Sequence, residues 1–269
     1  MPFLLALFAF KTMVTKAQKW EAGILAGPIA YRGDLAKPMI QVQEIKMHFG
    51  LVGGYVFNSR IALKNELNFG AIGGNDKYAP NTLSGFEHQD RNLNFKSNLV
   101  DFTSRLEFNF LKPKSKLQKN FVTPFITIGI GVFHFDPYTY YNNEKIYLHK
   151  LQTELDKPLY ALTQLCIPVG GGLKIGLENN FTLGLIYEAK YTKTDYIDDV
   201  SHNWQSNVTS GSLGQSLTYR GDKSLPRHNN NPIDPTSTNR GDPTNHDNYV
   251  TFSFSLIKTI YKAPPCGRF

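Results

Sequence analysis

Cysteine is scarce in this chain: Cys166 and Cys266 are its two, far apart in sequence. Neither has a second Cys or a His at metal-ligand spacing, so a zinc site is not expected, and nothing else in the sequence calls for a cofactor. Long apolar runs are also missing. No stretch reaches the roughly 18 residues that a transmembrane helix needs. Runs of positive charge are absent too. The net charge is +7, yet the 29 Lys and Arg residues are scattered and never form a run of five, which argues against a nucleic-acid partner.

What the chain has in abundance is Phe, Tyr and Gly, at 19, 14 and 22 residues, a composition that favours strands over helices. Near the start, Pro2 to Phe10 forms a short apolar run followed by Thr15-Lys16-Ala17. Residues 1–17 read as a signal peptide with cleavage after Ala17, although no Lys or Arg precedes the apolar run. The competing reading is an N-terminal strand.

Period-two alternation recurs along the rest of the chain. Between Ile45 and Phe57, the positions Ile45, Met47, Phe49, Leu51, Tyr55 and Phe57 share one face, and Lys46, His48, Gly50, Val52 and Gly54 the other. The same rhythm is found over Ile61–Ala71, Val100–Phe110, Ile126–Val132, Gln164–Glu178, Phe181–Tyr191 and Val250–Leu256, and more weakly over Trp20–Tyr31. That gives eight strands. Their greasy faces carry no charge; their other faces carry nearly all of it, mixed with Gly, Ser and Thr. Small and polar side chains suit the crowded inside of a narrow barrel, and Phe, Leu and Ile suit lipid.

The connections alternate in length. Asn58-Ser59, Leu111–Asn120 and Asn179-Asn180 are short; Arg32–Glu44, Gly73–Arg91, Asp136–Tyr160 and Thr192–Asn248 are long. The expected fold is therefore all-β: an eight-stranded antiparallel transmembrane β-barrel with short periplasmic turns and long extracellular loops, located in a bacterial outer membrane. The barrel is expected over 18–262, the largest outer loop over 192–248, and a periplasmic tail over 263–269.

Lys46, Lys64, Arg105, Lys174 and Lys190 face the lumen in this reading, against Glu66, Asp101, Glu107, Glu178 and Glu188. Charges in a narrow, dry lumen must be paired, so a structural ion-pair network is favoured over an ion path. Eight strands enclose room for side chains only, which argues against a solute channel. No nucleophile-elbow pattern exists, and Gly170-Gly171-Gly172 lies within a strand, not before a helix, so no catalytic residue is assigned. A lumenal enzyme built on His48 is the weakest of three readings.

Arg-Gly-Asp occurs three times, at 32–34, 220–222 and 240–242, all in the long loops. Receptor binding is the sharp interpretation. The plainer one is that Gly-Asp makes turns and Arg is a neighbouring solubilising charge. Lys112, Lys114, Lys116 and Lys119 crowd one short turn and form the preferred contact patch for an acidic periplasmic partner. Cys166 is expected in mid-barrel as a small packed side chain, unbridged to Cys266.

Tyr31-Arg32-Gly33-Asp34-Leu35 resembles the Tyr-x-Gly-Asp-Leu motif of PorG-like outer-membrane barrels of the Bacteroidota. Arg240-Gly241-Asp242-Pro243, running on to Tyr249, is similar to the Arg-Gly-Asn-Pro stretch before that family's last strand, with Asp242 in place of Asn. The tail Pro264 to Phe269, with Cys266, is also similar. The resemblance implies a non-enzymatic structural component of a type IX secretion or gliding apparatus. Its partners would be outer-membrane lipid and periplasmic ring or lipoprotein components, met by Lys112–Lys119 and the tail. The alternative is a surface adhesin or recognition barrel acting through its long loops.

Overall fold

The computed structural model describes residues 19–36, 40–79, 91–111, 121–151, 153–154, 159–201, 213–218, 220–221 and 240–261. The proposed signal peptide, the tail and the lysine turn lie outside them. Nine strands are present among the described residues: β1 (Lys19–Arg32), β2 (Lys46–Val56), β3 (Ile61–Asn75), β4 (Asn94–Asn109), β5 (Val122–Tyr141), β6 (Glu144–Tyr147), β7 (Thr163–Gly176), β8 (Phe181–Thr192) and β9 (Asn248–Tyr261). A one-turn helix, α1 (Leu213–Thr218), lies in the last long loop. No described helix is long and apolar enough to cross a membrane.

The strands run in the order β4-β3-β2-β1-β9-β8-β7-β5, and a further β4–β5 pairing closes the ring, so the fold is a closed eight-stranded antiparallel barrel. The first strand pairs with the last over their whole lengths, from Lys19↔Tyr261 to Arg32↔Asn248. Closure leaves no exposed edge in the barrel wall. The ninth strand, β6, is a four-residue flap that pairs only with the upper end of β5, where Tyr138 faces Tyr147 and Tyr141 faces Glu144.

Alternation decides which side chain goes where, and it does so in the sense the residue sizes predict. Ile24, Leu51, Phe102, Ile128, Leu165 and Phe254 project outward and are exposed, whereas Lys64, Asp101, Thr127, Glu188 and Ser255 point inward and are buried. The short turns use side chains that stabilise tight backbone. Asn58 Oδ1 accepts from the amides of Arg60 and Ile61 at 2.8 and 3.0 Å. Asn179 and Asn180 take up positive φ of 57° and 64°, which Asn tolerates better than most residues.

Towards the long-loop end, three strands outrun their sequence limits by four residues or more. β3 continues past Ala71 to Asn75, β4 begins at Asn94 instead of Val100, and β5 extends through Tyr141 instead of ending at Val132. The reason is a change in what the inside holds. Towards the long-loop end the inward residues become apolar: Ile72, Phe95, Leu99, Phe133 and Phe135 are buried with Tyr31, Leu35, Ile197 and Tyr249 in one core cluster. On β4 and β5 the outward positions there turn polar, with Lys96, Asn98 and His134 exposed, so the polar-in, apolar-out rule inverts and no longer marks a strand.

Candidate functional site

The interior is built in layers. At the short-turn end a cavity of about 470 Å³ opens, lined by Glu21, Lys64, Glu107, Lys174, Asn179 and Thr259 among others. Its polar floor is two ion pairs, Lys64 with Glu21 and Lys174 with Glu107. Above them the Arg105 guanidinium forks between Glu66 on β3 and Glu188 on β8. Higher still, Lys190 donates to both carboxylate oxygens of Asp101 at 2.9 and 2.8 Å. Asp101 also accepts from Asn68 Nδ2 at 2.9 Å and from the Tyr249 hydroxyl at 3.3 Å.

Arg105 is 2% exposed and Lys190 1%. Isolated charges at such depth would cost several kcal/mol each, which is why each finds an opposite partner. Of the residues assigned to the lumen, Lys64, Glu66, Asp101, Arg105, Glu107, Lys174, Glu188 and Lys190 are all drawn into these pairs. Lys46 is not. It sits at the long-loop rim, half-exposed, 3.1 Å from Glu44. Glu178 is exposed in the turn between β7 and β8, at the mouth of the cavity. Glu21, on the inward face of β1, takes a lumen role that the weak alternation of its segment concealed.

His48 Nε2 lies 3.0 Å from Ser253 Oγ in the barrel interior. Its Nδ1 meets no side-chain hydrogen-bond partner among the described residues. The described residues contain no cluster of His, Cys, Asp and Glu arranged to hold a metal. Cys166 is a buried free thiol; Cys266 lies outside the described residues.

Over the apolar plug the long loops fold into a polar cap, and here the motif residues meet. Tyr31 is the last residue but one of β1; Asp34, Leu35 and Ala36 form a short 3-10 turn just after the strand. Asp34 Oδ2 accepts from the Asp242 amide at 2.9 Å, joining the first loop to the last across 208 residues of sequence. Arg240 donates to Glu154 Oε1 at 2.9 Å and to the Asp199 carbonyl at 2.5 Å. Thr153 and Tyr160 donate to the Asp199 carboxylate at 2.5 and 2.8 Å. Burial, partly offset by the nearby Arg240 guanidinium, raises that carboxyl above its ordinary range. Arg91 is bidentate on Asp76, at 2.7 and 2.8 Å, and reaches the Arg240 carbonyl.

This burial corrects the reading of Arg as a solubilising charge for Arg240 and Arg220. Arg240 and Asp34 are interior, and Arg220 is half-buried, donating to Thr139 Oγ1 at 3.0 Å. Arg32 is exposed, and Pro243 sits in an exposed turn. The tripeptides at 32–34 and 240–242 are thus each tied into the interior by one charged side chain, Asp34 and Arg240; Asp222 lies outside the described residues.

Gly33 and Gly241 have steric reasons to be glycine. A Cβ on Gly33 would fall 1.8 Å from Asp247 Oδ1 and 2.0 Å from the Tyr31 hydroxyl; on Gly241 it would fall 2.4 Å from Asp34 Oδ2 and 2.7 Å from the Ser201 carbonyl. Gly33→Ala is expected to loosen the cap by about 1–3 kcal/mol, the usual effect of overpacking. Limited proteolysis checks this: cleavage within 192–201 should accelerate while the barrel keeps its heat-modifiable mobility on a denaturing gel. Lys112, Lys114, Lys116 and Lys119, the assigned contact patch, lie outside the described residues.

No curated protein matches the chain in sequence. Among solved structures it is similar to Ail, the attachment invasion locus protein of Yersinia pestis, at 9% identity over 91% of this chain and 100% of that one, with a TM-score of 0.40. It is similar also to Neisserial surface protein A, at 8% identity over 90% and 99% with a TM-score of 0.42. A third is the N-terminal β-barrel domain of Pseudomonas aeruginosa OprF, at 9% identity over 91% and 98% with a TM-score of 0.38. A family model described as a domain of unknown function, DUF6089, matches residues 1–216, and the chain belongs to that family.

Proposed function

We propose that this protein is a non-enzymatic outer-membrane barrel that anchors a periplasmic assembly of a type IX-like secretion or gliding apparatus. The observation that carries the reading is the pairing of an apolar exterior with a filled interior. Ile130 and Leu165 are each 72% exposed, and apolar neighbours extend the band around all eight strands. Soluble monomers rarely expose a contiguous apolar patch beyond a few hundred Å². Lipid is the natural partner of such a band. Near the short-turn rim, Trp20 packs edge-on against Tyr55 at 5.1 Å, and Lys258 lies over the Phe181 ring at 5.3 Å, in keeping with an interfacial aromatic girdle.

The interior offers no solute path in this reading, because the ion pairs and the apolar plug fill it. Activity is left to the two rims. The long-loop end spends its motif residues on its own cap: Tyr31, Asp34, Leu35, Arg240 and Gly241 are buried or hold one another. That leaves the short-turn rim for a partner. The resemblance to PorG-like barrels, carried by these same residues, supports periplasmic ring or lipoprotein components as that partner, with Lys112, Lys114, Lys116 and Lys119 as the contact.

Charge reversal of all four lysines to Glu should lower co-purification of periplasmic partners from crosslinked, detergent-solubilised outer membrane by tenfold or more, at unchanged barrel yield. Undiminished recovery would remove the contact from the model. Surface recognition has one feature in its favour. The β5–β6 hairpin displays Tyr140 and Tyr147, both exposed, with Lys145 Nζ 3.8 and 4.6 Å from the Tyr138 and Tyr147 ring centres. Recovery of the barrel alone, with cell-surface binding lost on excision of that hairpin, would move the function there.

A further inference from the structure

The cap is fastened at its centre by three side chains from distant parts of the chain: Tyr31 at the end of β1, Asp198 in the segment after β8, and Asp247 just before β9. The Tyr31 hydroxyl lies 2.6 Å from Asp198 Oδ2 and 2.7 Å from Asp247 Oδ1. A phenol has one hydrogen to give and lone pairs to accept with. Both contacts have the length of a hydrogen-bonded O–H···O pair. The phenol can supply the hydrogen for one of them, so the other takes its hydrogen from a carboxyl group. If both groups were ionised, one contact would press two oxygens together with no hydrogen between them, in a site closed to water.

The remaining hydrogen bonds indicate which oxygen carries it. Asp198 Oδ1 accepts from the Val200 amide at 2.9 Å, and Asp198 Oδ2 from the Leu35 amide at 3.2 Å as well as from Tyr31. Asp247 Oδ2 accepts from the Ile197 amide at 2.9 Å. Asp247 Oδ1 has no contact with an N–H donor among the described residues; Tyr31 is its hydrogen-bond partner.

We infer that Asp247, Tyr31 and Asp198 share one extra proton, running from Asp247 Oδ1–H to the Tyr31 hydroxyl and from that hydroxyl to Asp198 Oδ2, and that this proton latches the outer cap onto the barrel. The cap is then tight in acid and loosens as pH rises. This inference goes beyond the anchoring role and does not depend on it.

The surroundings favour holding the proton. Asp34, from the turn after β1, faces both carboxyls; Asp195, from the segment after β8, faces Asp247; and Arg91, at the approach to β4, faces Asp198. The Arg91 charge is already engaged in its bidentate pair with Asp76. Burial first, and the neighbouring carboxylates second, push Asp198 and Asp247 well above the usual carboxylate range. The sign follows. A carboxyl whose pKa is raised in the closed state binds its proton more tightly when closed, so its stabilisation is complete at low pH and is lost as pH rises through the closed-state value.

The test is hydrogen exchange read by mass spectrometry on the full-length protein in detergent micelles. Protection of peptides covering 192–201 is followed over roughly pH 5 to 9, corrected for intrinsic exchange, with β4 peptides as the internal control. One-proton linkage limits the loss of protection to about tenfold per pH unit within the titration window. The wild type should show a fall of that kind. Asp247→Asn should show protection that is high and flat with pH, because its amide nitrogen can donate to Tyr31 while its carbonyl still accepts from Ile197. Asp198→Asn should be poorly protected throughout, since Asp198 is needed as an acceptor on both oxygens. A flat wild-type profile, or an Asp247→Asn profile that keeps the wild-type slope, overturns the latch. If Asp247→Asn does not fold, the wild-type series decides alone.

Discussion

Replacing Arg105 with Met is expected to destabilise the barrel by about 3–5 kcal/mol, the usual cost of removing one partner from a buried ion pair. The guanidinium holds two carboxylates from opposite walls, Glu66 and Glu188. Glu188 keeps Lys190 at 3.7 Å. Glu66 has no other ion pair among the described residues, so it carries most of the penalty. Adding Glu66→Gln to Arg105→Met should therefore recover more than half of the lost stability, although it adds a second substitution to the same site. Urea titration in micelles, read by the gel mobility of unheated samples, measures both variants. If Arg105→Met unfolds at the wild-type midpoint, the layered ion pairs contribute nothing net to the fold.

A second large effect separates a lipid-facing wall from a wet one. Ile128 and Leu159 are each 59% exposed. Ile128 sits in the middle of the apolar band, between Leu106 on β4 and Val169 on β7. Leu159 lies in the long-loop segment before β7. If water surrounded both, Arg at either position would be tolerated within about 0.5 kcal/mol, as surface substitutions usually are. With lipid around the band, Ile128→Arg should cost about 2–4 kcal/mol in bilayer refolding and Leu159→Arg almost nothing. Equal, small effects at the two sites would remove the membrane from the interpretation.

The wall was legible because a barrel in lipid obeys one rule along every strand. Val100, Phe102, Leu106 and Phe108 alternating with Asp101, Thr103, Arg105 and Glu107 admits one arrangement once the size of the inward residues is weighed. The rule fails where the solvent on the two sides changes. Phe95, Leu99, Phe133 and Phe135 point inward into an apolar plug, so the strands that carry them seemed to end early. The short flap Glu144–Tyr147 offers too few residues for any period to register.

The site was legible only in part. Position parity along a strand puts Arg105 inside, but its partners follow from register and barrel shear, which no local pattern encodes. The cap is harder still. Tyr31 meets Asp247 across 216 residues of sequence. What could be seen was a short motif at each end of the barrel domain; that the two motifs touch each other is a property of closure. Glu21 lay on the polar side of the weakest segment, where Gly and Ala leave little contrast between faces.

That closure has a consequence for how the chain assembles. Three of the interior ion pairs span the two halves of the chain: β4 supplies Asp101, Arg105 and Glu107, and β7 and β8 supply Lys190, Glu188 and Lys174 as their partners. None of these pairs can form inside a hairpin, and β1 cannot be zipped until β9 arrives beside it. An open sheet entering the bilayer would turn its unpaired lysines and glutamates toward hydrocarbon. In a bilayer, insertion and closing of the ring would therefore be expected as one concerted event, slow as long-range pairing is, and a chain truncated before β9 would be expected to leave the barrel open.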